Sequence, residues 1–178
     1  MFLKKDLYRY FGDKKESVKD KLFRRKQIKY LYYFRKLQAQ PNFISRIYYK
    51  LRLRRLSALT HIQIHESTRI GEGFYIGHYG RILINPQAVL GKNVNIATGV
   101  SIGQENRGAR KGCPVIGDEV WIGTNAVVVG NINIGNDVLI APLAYVNFDV
   151  PDHSIVLGNP AKIIHRENAT EYYIENKV

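Results

Sequence analysis

At 178 residues the chain has room for one ordinary domain and an appendage, and its net charge of +12 is unevenly placed. Residues 1–57 hold 18 Lys and Arg against 4 Asp and Glu, so the excess base belongs to the N-terminal segment alone. The lone Cys113 excludes an intramolecular disulfide, no apolar run is long enough to cross a bilayer, and Lys4, Lys5, Asp6 and Arg9 interrupt any secretory signal, so a cytoplasmic protein is expected.

In chain order, residues 13–37 lack Gly and Pro and predict a strongly charged helix. After Pro41, a second helix is predicted over 42–56, with Ile44, Ile47, Tyr48, Leu51 and Leu53 toward one side and Arg46, Lys50, Arg52, Arg54 and Arg55 largely elsewhere. A basic amphipathic segment with aromatics fits either a cap over the end of the repeats that follow or peripheral contact with an anionic membrane. Basic charge without a recognised motif gives no specific nucleic-acid site, so no nucleic-acid partner is expected.

From Ile64 to Asn147 aliphatic residues recur every six positions: Ile64, Ile70 and Ile76, then Ile84 to Ile102, then Ile116 to Val146. Gly follows the aliphatic residue at 71, 77, 91, 103, 117, 123 and 135, and small or β-branched residues stand four places after it. Six-spaced residues smear around a helix, but they suit a chain that makes one short strand and one corner per repeat. Three strands close a triangular coil, and stacked coils bury the aliphatic column. The fold class is therefore mainly β, a parallel β-helix with a short basic α-helical N-terminal segment. The expected division is residues 1–60, the β-helix 61–164 with a loop at 104–114, and a tail over 165–178.

The register breaks twice. Two extra residues fall within Gly77-His78-Tyr79-Gly80-Arg81, and eight more fall within 104–114. Insertions that leave a solenoid in register emerge as surface loops, where binding groups usually sit. His78 is thereby singled out, and so are Arg107, Arg110 and Lys111 in the longer loop. His61, His65, His153 and His165 share no repeat phase, so no metal site is expected. Trp121 precedes Ile122 and should point outward, toward a subunit interface or a cleft wall.

Three stretches carry a family resemblance: Ile70-Gly-Glu-Gly-Phe-Tyr-Ile-Gly-His78, Val115-Ile-Gly-Asp-Glu-Val-Trp-Ile-Gly-Thr-Asn-Ala126, and Pro151-Asp-His-Ser154 with Gly158-Asn-Pro-Ala-Lys162. Through them the chain resembles the bacterial hexapeptide-repeat acyltransferases, within them the serine acetyltransferase branch, and there the short capsule- and polysaccharide-modifying members. The resemblance implies a left-handed coil, contrary to the usual crossover hand. It also implies acetyl-CoA as donor, homotrimers, and sites in clefts between neighbouring coils. His78 matches the family's general base. In serine acetyltransferases an Asp precedes that histidine, where this chain has Gly77, and a second family histidine is replaced by Cys113 before Pro114.

A neutral alcohol is a poor nucleophile, and histidine, with an ordinary pKa of about 6.5, is suited to take its proton near neutrality. Direct transfer of acetyl to a hydroxyl is expected, with Glu72, Asn85 and Glu105 as candidate partners for the imidazole. By the resemblance Gly123, Thr124, Ala126, Ala141 and Ala144 line the pantetheine arm, and Lys162 lies near the CoA phosphates. Arg107, Arg110 and Lys111 are weaker candidates for those phosphates or for an anionic acceptor, and equally for lowering the pKa of Cys113, which is expected to be passive. The missing Asp and the basic aromatic segment point to a saccharide as acceptor, as in a surface polysaccharide or its precursor. Serine O-acetylation, N-acetylation of an amino sugar and a catalytically silent trimeric scaffold are the alternatives.

Overall fold

Aliphatic residues six apart line the inside of any coil that turns a corner every six residues. The computed structural model, which describes residues 2–14 and 25–178, contains that coil. The first face is formed by β1 (Ile62–Ile64), β4 (Ile82–Ile84), β7 (Ser101–Gly103), β10 (Val127–Val129) and β13 (Tyr145–Val146). The second holds β2 (Arg69–Ile70), β5 (Val89–Leu90), β8 (Val115–Ile116) and β11 (Asn133–Ile134). The third holds β3 (Tyr75–Ile76), β6 (Asn95–Ile96), β9 (Val120–Ile122), β12 (Val138–Ile140), β14 (Ser154–Gly158) and β15 (Ala161–His165).

Strands of successive coils pair in parallel, and among the described strands only β15 runs antiparallel, against β14. Register follows the hexapeptide: Ile84 stands opposite Ile102, Ile102 opposite Val128 and Val128 opposite Val146. The aliphatic column from Ile64 to Val146 is buried throughout, as are Thr68, Ala88, Val94, Val100, Val120, Ala126, Val138, Ala144 and Val150.

Among the described residues three helices precede the coil: α1 (Phe2–Phe11), α2 (Lys26–Gln38) and α3 (Phe43–Thr60). The helix expected over 13–37 is thus realised from Lys26 onward, while Asp13 and Lys14 leave α1 through Gly12; residues 15–24 of that expectation lie outside the described residues. The Asn42 side chain caps α3 by accepting the Ser45 N–H at 3.0 Å. Tyr30, Leu31, Phe34 and Leu37 of α2, with Leu53 and Leu56 of α3, join one core with Ile62, Phe74 and Ile76. Each such side chain contributes about 1.5–3 kcal/mol by leaving water. Of the apolar side expected on α3, Leu53 alone is buried. Leu53, Leu56 and Thr60 face the core, whereas Ile44, Ile47, Tyr48 and Leu51 stay exposed.

Two of the N-terminal cations, Arg9 and Arg35, are buried against the coil. Arg35 pairs with the buried Asp6 at 2.6 Å and donates to the carbonyls of Ile70 and Gly71. Burial pushes the Asp6 carboxyl up, and Arg35 with the backbone N–H of Phe74 opposes the shift. Arg9 donates to Gly73 O, Asn95 Oδ1 and Glu175 O. Lys5 pairs with Glu72, and Arg46 with Glu66. No described helix is long and apolar enough to cross a membrane.

The C-terminal residues fold back over the third face. Asp137 accepts the N–H groups of Ala169 and Thr170 and the Thr170 hydroxyl. Trp121 does point outward, but the tail's Tyr173 covers it, with ring centroids 4.9 Å apart.

Candidate active site

The corner between β3 and β4 carries the first insertion. It needs Gly80, because a Cβ there would collide with the Thr98 side chain of the coil beneath. His78 stands exposed on this corner. Strand register stacks the corners of later coils below it: Ile76, Ile96, Ile122 and Ile140 are opposite one another in turn. The residues that follow these four, Gly77, Ala97, Gly123 and Ala141, therefore form one column along the edge. His78, Thr98 and Thr124 form the next, at about 4.8 Å per coil. His78 and the expected arm-lining residues thus share one edge of the prism.

Along that edge Thr124 and Ala141 are partly exposed, Gly123 is buried, and the side chains of Ala126 and Ala144 point into the core. At the latter two only backbone is offered to the edge. The N–H groups of Gly77, Ala97, Gly123 and Ala141 donate to carbonyls of the next coil and are not available to a ligand. Lys162 is exposed on β15, five strands along the third face from β3, or roughly 24 Å.

The 104–114 loop leaves from the opposite edge of the first face, a three-residue strand, or roughly 10 Å, from the His78 edge. Glu105 and Gly112 bridge to each other across the loop, which reaches the next coil through Arg110 O, the acceptor of the Asn131 N–H at 2.8 Å. Arg110 also pairs with Glu105 at 3.2 Å. Arg107, Arg110 and Lys111 are exposed, and the fold does not bring them to His78 of the same chain. Cys113 is half-buried, and burial pushes its thiol pKa up, so the three cations do not activate it.

None of the three candidate partners reaches the imidazole. Glu72 is held by Lys5 and Lys92 at another edge, Asn85 bonds Gln104 and Gln87, and Glu105 is held by Arg110. What does approach the corner is the start of α2. Arg25, Lys26 and Gln27 line a cavity of about 580 Å³ with His78 and Tyr79. Gln27 is buried and its Nε2 donates to Gly77 O at 3.0 Å. Lys26 Nζ lies 5.4 Å from the centroid of the Tyr79 ring. Sequence reading missed these residues, because nothing in the pattern ties position 27 to position 78. A larger groove of about 1000 Å³ between α3 and the first face holds none of the candidate catalytic or CoA-contacting residues. His153 and His165 lie near each other, but no group of described residues could hold a metal ion.

Residues 113–147 match the family model described as bacterial transferase hexapeptide (six repeats). Serine acetyltransferase 2 of Arabidopsis thaliana is 39% identical over 110 residues, which are 62% of this chain and 34% of that protein. Over that stretch the chain is similar to the serine acetyltransferases. It spans only about a third of the length of that plant relative. Among solved structures, serine acetyltransferase of Neisseria gonorrhoeae in complex with serine superposes with a TM-score of 0.70 at 29% identity, covering 91% of this chain and 67% of that one. The Brucella abortus serine acetyltransferase in complex with coenzyme A gives a TM-score of 0.76 at 25% identity, covering 93% and 67%.

These homologues overturn the saccharide acceptor expected from sequence, since they are serine acetyltransferases and one of them holds serine. The two features behind that expectation have structural explanations of their own. Of the basic residues in that segment, Lys5, Arg9, Arg35 and Arg46 are held by acceptors on the coil. The space beside Gly77, where the family has an Asp, is approached by Gln27.

Proposed function

We propose that this hexapeptide coil is an acetyl-CoA-dependent serine O-acetyltransferase. The observation that carries the reading is the shared edge: His78 stands at the head of the column that continues through Thr98 to Gly123, Thr124 and Ala141. Small residues there leave an unobstructed path for a thioester-bearing arm toward the imidazole. His78 takes the serine hydroxyl proton as the oxygen attacks the thioester carbonyl. The tetrahedral adduct collapses with cleavage of the C–S bond, and the thiolate recovers the proton from the imidazolium. The products are O-acetylserine and free CoA, and no acyl-enzyme forms.

The cationic loop lies across the first face from His78, so Arg107, Arg110 and Lys111 can serve this site only from a neighbouring copy. That arrangement favours a homotrimer with composite sites, and the outward Leu83, Val127, Val129 and Tyr145 supply an apolar face for it. Lys162 stands at the far end of the third face, where it meets the phosphate end of the cofactor. Replacement of His78 by Ala tests the reading. Serine-dependent turnover should fall by about 10²–10⁴-fold with trimer and CoA binding retained, and near-normal turnover would remove the proposal.

A second property has its own observation. Phe43, Ile44, Ile47 and Leu51 of α3 are exposed beside Arg54 and Arg55, a pattern suited to peripheral contact with an anionic lipid surface. Co-sedimentation with phosphatidylserine vesicles should be lost in Ile44→Asp/Ile47→Asp. Equal sedimentation of variant and parent, or none by the parent, would exclude it.

A further inference from the structure

We infer that Gln27 is the positioning residue for the His78 imidazole. The inference rests on the reading of His78 as general base. A histidine that accepts a proton at one ring nitrogen must hold the other proton on an acceptor, or its tautomer and ring angle are left free. Glu72, Asn85 and Glu105 are each engaged elsewhere. Of the residues that share the cavity with His78, Arg25 and Lys26 carry side-chain donors only. Tyr79 is about half exposed and lies under Lys26.

Gln27 differs from all of these. Its Nε2 donates to Gly77 O, the carbonyl of the very peptide that supplies the N–H of His78. A carbonyl only accepts, so the amide orientation is decided by chemistry: the nitrogen faces Gly77 and Oε1 is turned away. That Oε1 is buried and has no hydrogen-bond partner among the described residues. An orphaned buried acceptor is costly, and a donor within the same pocket would relieve it. The Nδ1–H of His78, one peptide away from the anchor point, is the donor that the geometry offers.

Position 77 provides an independent check. A Cβ built on Gly77 meets only Tyr75 Cε1, at 3.5 Å, an ordinary contact. Gly77→Asp is therefore sterically permitted, and its carboxylate can take over the same task.

The test is steady-state kinetics with L-serine and acetyl-CoA across pH 5.5–9 for Gln27→Ala, Gln27→Glu, Gln27→Ala/Gly77→Asp and His78→Ala, with circular dichroism and oligomer size as controls. Gln27→Ala should lower kcat by about a hundredfold with little change in the KM for acetyl-CoA. The double variant should recover most of that loss. Gln27→Glu should stay active and move the acidic limb of kcat/KM upward by about one pH unit, since a neighbouring carboxylate favours the imidazolium. Should Gln27→Ala not fold, the Gln27→Glu profile decides by itself. Wild-type kcat in Gln27→Ala, or an unmoved profile in Gln27→Glu, would overturn the inference while loss of activity in His78→Ala leaves the base intact. Undiminished turnover in His78→Ala would overturn both.

Discussion

Single residues divide sharply between those whose role follows from repeat phase and those whose role depends on a distant contact. His78 belongs to the first group, because a polar residue inside a register break must emerge at an edge. His153 belongs to the second. Its Nδ1 lies 2.9 Å from Asp137 Oδ2, and the hydrogen bond to Asp137 raises its pKa, with Glu167 and Asp152 adding to the effect against slight burial. Burial would raise the Asp137 pKa, but Thr170, His153 and the backbone N–H groups of Thr170 and Ala169 hold it below the usual carboxylate range. A histidine whose folded pKa lies above its unfolded value of about 6.5 stabilises fully below that pH and loses the effect as pH rises through the folded value. The tail that Asp137 anchors should therefore loosen above neutrality. Hydrogen exchange of residues 169–174, corrected for intrinsic rates, should show more protection at pH 6 than at pH 8.5, and His153→Ala should erase the difference. Equal protection at both values would show that the latch does not depend on His153.

Among the elements, α1 and α2 are tied to the coil by ionic contacts that no hydrophobic period announces. Arg35 is the central one, nearly buried with Asp6 and bound to two carbonyls of the first coil. Arg35→Met would leave the Asp6 charge buried without its partner, at a cost of about 3–5 kcal/mol. Thermal unfolding should show this as a drop in Tm of roughly 10 °C; a Tm within a degree or two of the parent would mean that Asp6 is protonated or hydrated instead. The same contacts explain where sequence reading of the segment failed. Charge density in residues 1–57 was legible, but its direction was not, because Arg9 and Arg35 find acceptors on Gly71, Gly73 and Asn95 that lie far along the chain. Which apolar residues of α3 meet the core was likewise not legible. Two apolar stripes compete on that helix, and contact with β1 selects the one bearing Leu53 and Leu56.

At the scale of the molecule the coil was legible almost residue by residue, because a period of six leaves each aliphatic residue only one place to go. The loop at 104–114 and the corner at 77–81 were legible for the same reason, as departures from that period. The immediate surroundings of His78 were not, since Gln27 reaches the corner only through the docking of α2, and the acceptor was misread from a missing Asp and a basic segment. The proposed site is an exposed histidine at the head of a column of small residues, on a coil similar to that of the serine acetyltransferases. The most direct measurement is thiol release from acetyl-CoA on addition of L-serine, with the product identified by mass. Stoichiometric formation of CoA and O-acetylserine, abolished in His78→Ala, is the predicted result. Binding of acetyl-CoA without serine-dependent release, or release unaffected by His78→Ala, would contradict it.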